Sequence, residues 1–305
     1  MIKNWGDHSG RCLVEQEGIS VIECERCRFK HIIPLPEEAE KREFYEQTFY
    51  SEYSEDYIAK HAQDADWWLI EHNEKYDKYE ALLGHQAPYR LLDIGSGPGY
   101  FLKAGNDRGW LTRGIEPGEA AWRYSTSHLG LDVAHDYFTA ANFSTFGTFD
   151  VVHMNNVLEH IVDVTATIEQ IAHITREGGL IAITVPNDFN PLQTIAAETT
   201  GKGPWWVVPE QHINYFNLQS LQSLLRRSGF EPVYHTTSFP LEMFLLMGDD
   251  YIGDNTLGRA FHQRRKRFEM VLDRHGKNEL KRAVYDAFSA LGIGRQVTVL
   301  GRKNA

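Results

Sequence analysis

Apolar positions along this chain fall into short blocks bounded by glycine-rich or polar punctuation, and between the blocks apolar residues recur every three or four positions. The blocks Leu91–Asp93, Leu111–Ile115 and about Asp150–Met154 read as buried strands. A brief strand at Val133, the run REGGLIAITVPN from Arg176 and QVTVLGRK from Gln296 extend the set, and one more strand should follow Phe230. Helical spacing marks Trp67, Ile70 and Tyr79, with acids and lysines on the other face, so two helices are expected ahead of the first glycine turn. Asn217 caps a further helix through SLQSLLRRSGF, which Gly229 ends. Two more helices are expected at about Thr256 to His275 and Asn278 to Leu291. Strands alternating with helices predict a doubly wound α/β fold.

Composition narrows the class. A chain of 305 residues can bury a substantial core as one large domain plus a smaller module. It has no apolar run of membrane-spanning length and opens MIKNWGDHSG without a signal-like stretch, so a cytoplasmic protein with no membrane partner is expected. A formal net charge of -11 opposes a phosphate backbone and excludes nucleic acid as the expected substrate.

The most informative local signal is LLDIGSGPGYF from Leu91 to Phe101: a strand ending at Asp93, a tight turn through Gly95, Ser96, Gly97 and Gly99, then a helix. Such a turn brings backbone amides and a helix N-terminus against a ligand. Dinucleotide sites need GxGxxG, whereas this turn is GxGxG with Tyr100 where the last glycine would fall. Asp93, two residues ahead of the first glycine, suits a cationic ligand better than a polyanion. Glu116, followed by Pro117, ends the next strand, where an acid can accept hydrogen bonds from both hydroxyls of a ribose.

With these residues the chain resembles the class I S-adenosylmethionine-dependent methyltransferases. DIGSGPG matches their first motif, GIEPG the end of their second strand, FDVVHMNNVLEH their fourth strand and following helix, and REGGLIAITVPN their fifth strand, over roughly residues 85 to 235. The resemblance implies a Rossmann-like seven-stranded sheet and S-adenosylmethionine as cofactor. Asp136 and Tyr137, after the short third strand, are then expected at the adenine, by hydrogen bonding and stacking, and Asn155 and Asn156 at the methionine part. Glu159 and His160 complete the family's LEH, and helix packing is their expected role. In the family, N-terminal helices cover the cofactor, and Tyr50, Tyr53 and Tyr57 are candidates to approach it.

All three cysteines lie near the N-terminus. The pair Cys24 and Cys27 in CERC supplies half of a tetrahedral zinc site, with Cys12 a natural third ligand and His8 the fourth; His31 competes for that last place. Some sugar and natural-product methyltransferases carry a small zinc-binding module of two CxxC pairs, a pattern from which this chain departs in the first pair. Structural zinc and a degenerate ribbon with free thiols are the two readings. The expected organisation is a zinc-ribbon-like module over 1–40, a helical cap over 41–85 and the methyltransferase domain over 86–305, with a helical insertion at about 240–292.

Methyl transfer requires a base for the acceptor's proton. The excursion LQTIAAETTGKGPWWVVPEQHINYF is long enough to shape an acceptor pocket, with Trp205 and Trp206 as stacking surfaces, His212 as general base and Tyr215 as second candidate. The insertion either completes that pocket or forms a homodimer face, and its cluster Arg264, Arg265, Lys266 and Arg267 reads as a solvated helix face. The expected reaction is methylation of a small molecule, at a hydroxyl of a carbohydrate or secondary metabolite. C-methylation of a keto sugar, an NAD(P)-dependent oxidoreductase and a noncatalytic S-adenosylmethionine-binding regulator are the alternatives.

Overall fold

The computed structural model describes residues 1–38, 40–41, 58, 63–84 and 87–304. The chain opens with an antiparallel meander of β1 (Ile2–Trp5), β2 (His8–Gln16), β3 (Ile19–Cys24) and β4 (Lys30–Ile33). Glu17 and Gly18 join β2 to β3 with positive φ at both positions, as a two-residue hairpin turn requires. The first helix, α1 (Ala65–Leu83), ends at Gly84 in the left-handed conformation and buries Trp67, His72, Tyr76 and Tyr79. The rest of the expected helical cap, with Tyr50, Tyr53 and Tyr57, lies outside the described residues.

From there strands and helices alternate: β5 (Arg90–Ile94), α2 (Tyr100–Asp107), β6 (Leu111–Ile115), α3 (Glu119–Ser127), β7 (Val133–Ala134), β8 (Phe149–Asn155), α4 (Val164–Ile174) and β9 (Thr175–Pro186). After α5 (Pro191–Thr200) comes a two-residue strand, β10 (Asn214–Tyr215), then α6 (Leu218–Arg227) and β11 (Phe230–Thr237). The insertion holds α7 (Glu242–Leu246), α8 (Asn255–Arg274) and α9 (Asn278–Ala290), and β12 (Gln296–Lys303) closes the fold.

The larger sheet has seven strands in the order β11-β12-β9-β8-β5-β6-β7, and β12 runs antiparallel to both its neighbours while the others are parallel. Burial on both faces explains why β5, β8 and β9 are near-continuous apolar runs in the sequence. On one face Ile168, Ile171, Leu221 and Leu224 of α4 and α6 pack on Leu92, Val152 and Ile183; on the other, Tyr76, Tyr79, Phe101 and Trp110 cover Leu91, Val151 and Ala182. The reversal of strand order at β5 and β8 leaves a crevice at the carboxyl ends of these strands, the place where open α/β sheets bind ligands. Among the described residues no helix is long and apolar enough to cross a membrane.

Two features differ from expectation. The meander does not close on itself, because β10, which lies about 180 residues later in the chain, pairs with β4 as a fifth strand, with Asn214 opposite His31 and Tyr215 opposite Lys30. The basic run on α8 is half buried: Arg265 pairs with Glu269 at 2.9 Å and Lys266 with Asp64, so only Arg264 and Arg267 form the solvated face. A buried cation needs a paired carboxylate, and here one partner lies one turn away and the other on the far side of the sequence.

Candidate active site

A cavity of about 1510 Å³ fills the crevice, and the glycine turn forms one of its walls. Gly95, Gly97 and Gly99 have φ of 73°, 54° and 86°, conformations that side-chain-bearing residues rarely adopt. A Cβ on Gly95 would stand 2.6 Å from Val157, and one on Gly99 2.5 Å from Leu131, so packing as well as backbone geometry requires glycine. The turn is fastened to the next strand by Gly95 and Ser96, whose N–H groups donate to Ile115 O at 2.8 and 3.0 Å.

Glu116 is buried and held at both oxygens: Gly97 N donates to Oε2 at 2.8 Å and Gly118 N to Oε1 at 2.7 Å. The carboxylate is thus rigid before any ligand arrives, which suits the two hydroxyls of a ribose. Asp136 is oriented in the same manner by Tyr137 N at 2.8 Å and Asn142 Nδ2 at 3.0 Å. Gly95, Gly97, Glu116, Pro117, Asp136, Tyr137, Asn155 and Asn156 all line the cavity.

Asp93, Ser96 and Gly99 are not among the lining residues. Asp93 lies buried beneath the turn, where its Oδ1 accepts from His153 Nδ1–H at 2.7 Å. Burial holds His153 below its ordinary pKa despite that carboxylate, so the ring is neutral and donates from Nδ1. A cation beside the asparagines is Lys75 of α1, its Nζ 3.4 Å from Asn155 Oδ1 and 5.8 Å from the centre of the Phe101 ring. Burial lowers its pKa, which the charges of Glu71 and Asp93 counter only in part.

Beyond the asparagines, Glu159, His160, Asp188, Trp205, Trp206 and His212 line the far side. The LEH segment forms a short 3-10 turn, Leu158–His160, rather than the start of a long helix. Burial pushes Glu159 up to about 8, and its Oε2 has no hydrogen-bond partner. His160 Nδ1–H donates to Gln211 O at 2.8 Å, which leaves Nε2 as the acceptor, 3.8 Å from Glu159 Oε1. Burial lowers His160 to about 4 and, together with the charges or rings of His160, Arg295 and Lys41, His212 to about 3. Both rings are neutral near pH 7. His212 Nδ1 lies 4.0 Å from Asp188 Oδ2, and burial raises Asp188 to about 6. Glu159, His160 and His212 each offer a ligand atom within 4.8 Å of the others, a set also able to hold a metal ion. Tyr215 does not line the cavity: its ring lies edge-on to His212, centres 6.3 Å apart, but it is buried in the core with Val21, Ile32 and Ile213, and burial pushes its phenol above the ordinary range.

The N-terminal sheet gathers a second cluster from His8, Cys24, Cys27 and His31. Cys12 is not part of it. The β2–β3 register shifts between Cys12 and Val14, and the Cys12 Sγ–H turns to Val14 O at 3.5 Å. His31, 1% exposed, takes the place expected for Cys12. His8 Nδ1 stands 3.2 Å from His31 Nε2, 3.7 Å from Cys24 Sγ and 3.4 Å from Cys27 Sγ. Ligands about 2.0–2.3 Å from a tetrahedral zinc are about 3.3–3.8 Å apart; the three separations from His8 Nδ1 are close to that spacing, and all four ligand atoms lie within 4.8 Å of one another. His31 Nδ1–H donates to Ile32 O at 2.8 Å, which turns the Nε2 lone pair toward the cluster. Burial and the neighbouring Cys24 push Cys27 up to about 12. Thiols so placed ionise when a cation enters between them.

Lys75, His153, Asp188 and the cavity-facing roles of Glu159 and His160 are additions to the expected site. The NNVLEH segment could have signalled the last two, since an acid and a histidine directly after a strand tip fall on the ligand side of the sheet.

The family described as "Methyltransferase domain" matches residues 67–235, more than half of the chain. A ubiquinone biosynthesis O-methyltransferase of Saccharophagus degradans is 32% identical over 153 residues, 48% of this chain and 64% of that protein. One from Rhizobium leguminosarum is 32% identical over 157 residues, 49% of this chain and 62% of that protein. The chain thus spans less than two thirds of the length of these curated relatives. Among solved structures, the plantazolicin methyltransferase BamL is similar with a TM-score of 0.52 at 14% identity, covering 87% of this chain and 95% of that one. A SAM-dependent methyltransferase from Archaeoglobus fulgidus is similar with a TM-score of 0.50 at 15% identity, covering 81% and 99%. These two likenesses are of fold.

Proposed function

The chain belongs to the methyltransferase-domain family, and from that premise we propose that it transfers a methyl group from S-adenosylmethionine to a small molecule, at a hydroxyl of a carbohydrate or secondary metabolite. The observation that carries this reading is the division of one cavity into two chemically distinct ends. A rigid carboxylate and glycine turn stand at one end, and neutral imidazoles at the other. Glu116 would hold the ribose diol, Asp136 and Tyr137 the adenine, and Asn155 with Lys75 the methionine part.

When bound, the sulfonium supplies a carbon already activated for displacement. What remains for the protein is to align an acceptor oxygen and remove its proton. His212, neutral near pH 7, takes that proton, and the Asp188 carboxylate 4.0 Å away holds the charge that then develops on the ring. Trp205 and Trp206 offer the flat apolar walls on which a sugar face or an aromatic ring would stack. The curated relatives are named as O-methyltransferases, which supports an oxygen acceptor.

A structural zinc ion held by His8, Cys24, Cys27 and His31 is part of the same proposal, supported by the interatomic spacing and by the fixed tautomer of His31. Thermal unfolding tests the cofactor assignment. S-adenosylhomocysteine should raise the midpoint in a concentration-dependent way and NAD should leave it unmoved. The reverse pattern would overturn the proposal.

A further inference from the structure

The acceptor-side segment 204–215 hangs on the N-terminal sheet. Its last two residues, β10, have a single strand partner among the described residues, β4, and an isolated two-residue strand cannot hold itself. Ile32 N donates to Ile213 O at 2.9 Å, and Lys41 Nζ donates to Glu210 O at 2.6 Å. The two segments also share one apolar core: Val21 and Ile32 pack with Trp206, Val207, Ile213 and Tyr215. On its other side the segment meets the site itself, because Ile213 N donates to Glu159 O at 2.9 Å and Asn214 Nδ2 to Ile161 O at 2.7 Å. His212 sits immediately before this joint.

His31 links the two regions. It is a member of the Cys/His cluster and stands opposite Asn214 in the β4–β10 register, two residues from His212. A third tie runs from Arg227 Nη2 to Cys27 O at 2.8 Å, and Phe29 packs on Phe216 with ring centres 5.0 Å apart. The cofactor end is built otherwise. Gly95, Gly97 and Glu116 are set by β5 and β6 of the larger sheet, whose strands make no ladder with the N-terminal one.

We infer that the N-terminal sheet is a structural part of the acceptor site, with His31 a positioning residue. Metal occupancy of the Cys/His cluster fixes β4, β4 fixes β10, and β10 sets His212 against Glu159, while the cofactor end keeps its form without the metal. The inference rests on the zinc reading above and assigns that ion a consequence for catalysis.

Hydrogen exchange of the whole chain, read by mass spectrometry alongside zinc content and S-adenosylhomocysteine affinity, tests it without an acceptor in hand. Zinc removal should speed exchange across 204–216 at least tenfold, while 93–99 and 114–118 stay protected and the S-adenosylhomocysteine Kd stays within twofold. His31→Ala should reproduce the effect. His31→Cys, which restores a ligand, should recover both zinc and protection, an outcome that loss of packing alone would not give. Zinc absent from protein never exposed to chelators, and not taken up on addition, overturns the metal reading and this inference with it. Zinc present and removable with 204–216 unmoved overturns the inference alone, as does exchange that rises equally at both ends of the cavity. Failure of wild-type protein to bind S-adenosylhomocysteine would count against the cofactor reading and leave the exchange result standing.

Discussion

Lys75 is an ammonium brought into the cavity wall with an amide oxygen 3.4 Å away, and the carboxylates of Glu71 and Asp93 act on it only in part, so that burial still lowers its pKa. Such a group is costly unless a bound anion completes it, and the α-carboxylate of the cofactor's methionine part is the anion that would lie nearest Asn155. Lys75→Met should therefore weaken S-adenosylhomocysteine by about tenfold or more, the worth of a hydrogen bond to a charged group. Binding of 5′-methylthioadenosine, which lacks the amino-acid part, should be unchanged; calorimetric titration of both ligands separates the two effects. Glu159 carries a different signature. Its ordinary carboxyl pKa of 4.5 is raised to about 8 by burial, so between those values the folded chain keeps a proton that the unfolded chain has released. This contribution to stability is present below about pH 4.5 and is lost as pH rises toward 8. Glu159→Gln removes the titration, so urea midpoints measured from pH 5 to 8.5 should fall more for the wild type than for the variant.

At the scale of elements, α1 and α8 meet through a buried polar knot rather than through apolar ridges. Glu269 accepts from Trp67 Nε1 at 2.5 Å, Tyr285 OH at 2.6 Å and Arg265 Nε at 2.9 Å, which outweighs the burial that would otherwise raise its pKa. Glu269→Gln leaves the Arg265 guanidinium buried against a neutral partner and should cost about 3 kcal/mol in chemical unfolding. Sequence pattern made α8 and α9 legible, since each repeats its apolar positions at helical spacing, and it made β5, β8 and β9 legible because strands buried on both faces write themselves as apolar blocks. The glycine turn and Glu116 were equally readable, for their chemistry is local. The knot was not, because Trp67 and Glu269 are 202 residues apart and spacing carries no information about which helix faces which. The same holds for β10, two residues long and paired with a strand near the N-terminus; His31 was readable as a competing ligand, whereas the register shift that accompanies the loss of Cys12 from the cluster is encoded by no motif.

For the whole molecule, the arrangement divides labour between two bodies of structure. The parallel strands β5 to β8 present the groups proposed for the cofactor, whereas the excursion after β9, paired with the N-terminal sheet, presents those proposed for the acceptor. A substitution on one side should leave the other intact, since Glu116 and His212 share no hydrogen bond and no strand ladder. His212→Ala removes the proposed base without touching the turn. It should bind S-adenosylhomocysteine as the wild type does and lose at least a hundredfold in methyl transfer, the scale at which a positioned general base contributes. Incorporation of label from methyl-labelled S-adenosylmethionine into a small-molecule extract provides the assay before the acceptor is known. Full incorporation by the variant would strip His212 of the role and pass it to Glu159 or His160. Equal loss of cofactor affinity would show that the two ends of the cavity are one cooperative unit, contrary to the division drawn from the sheets.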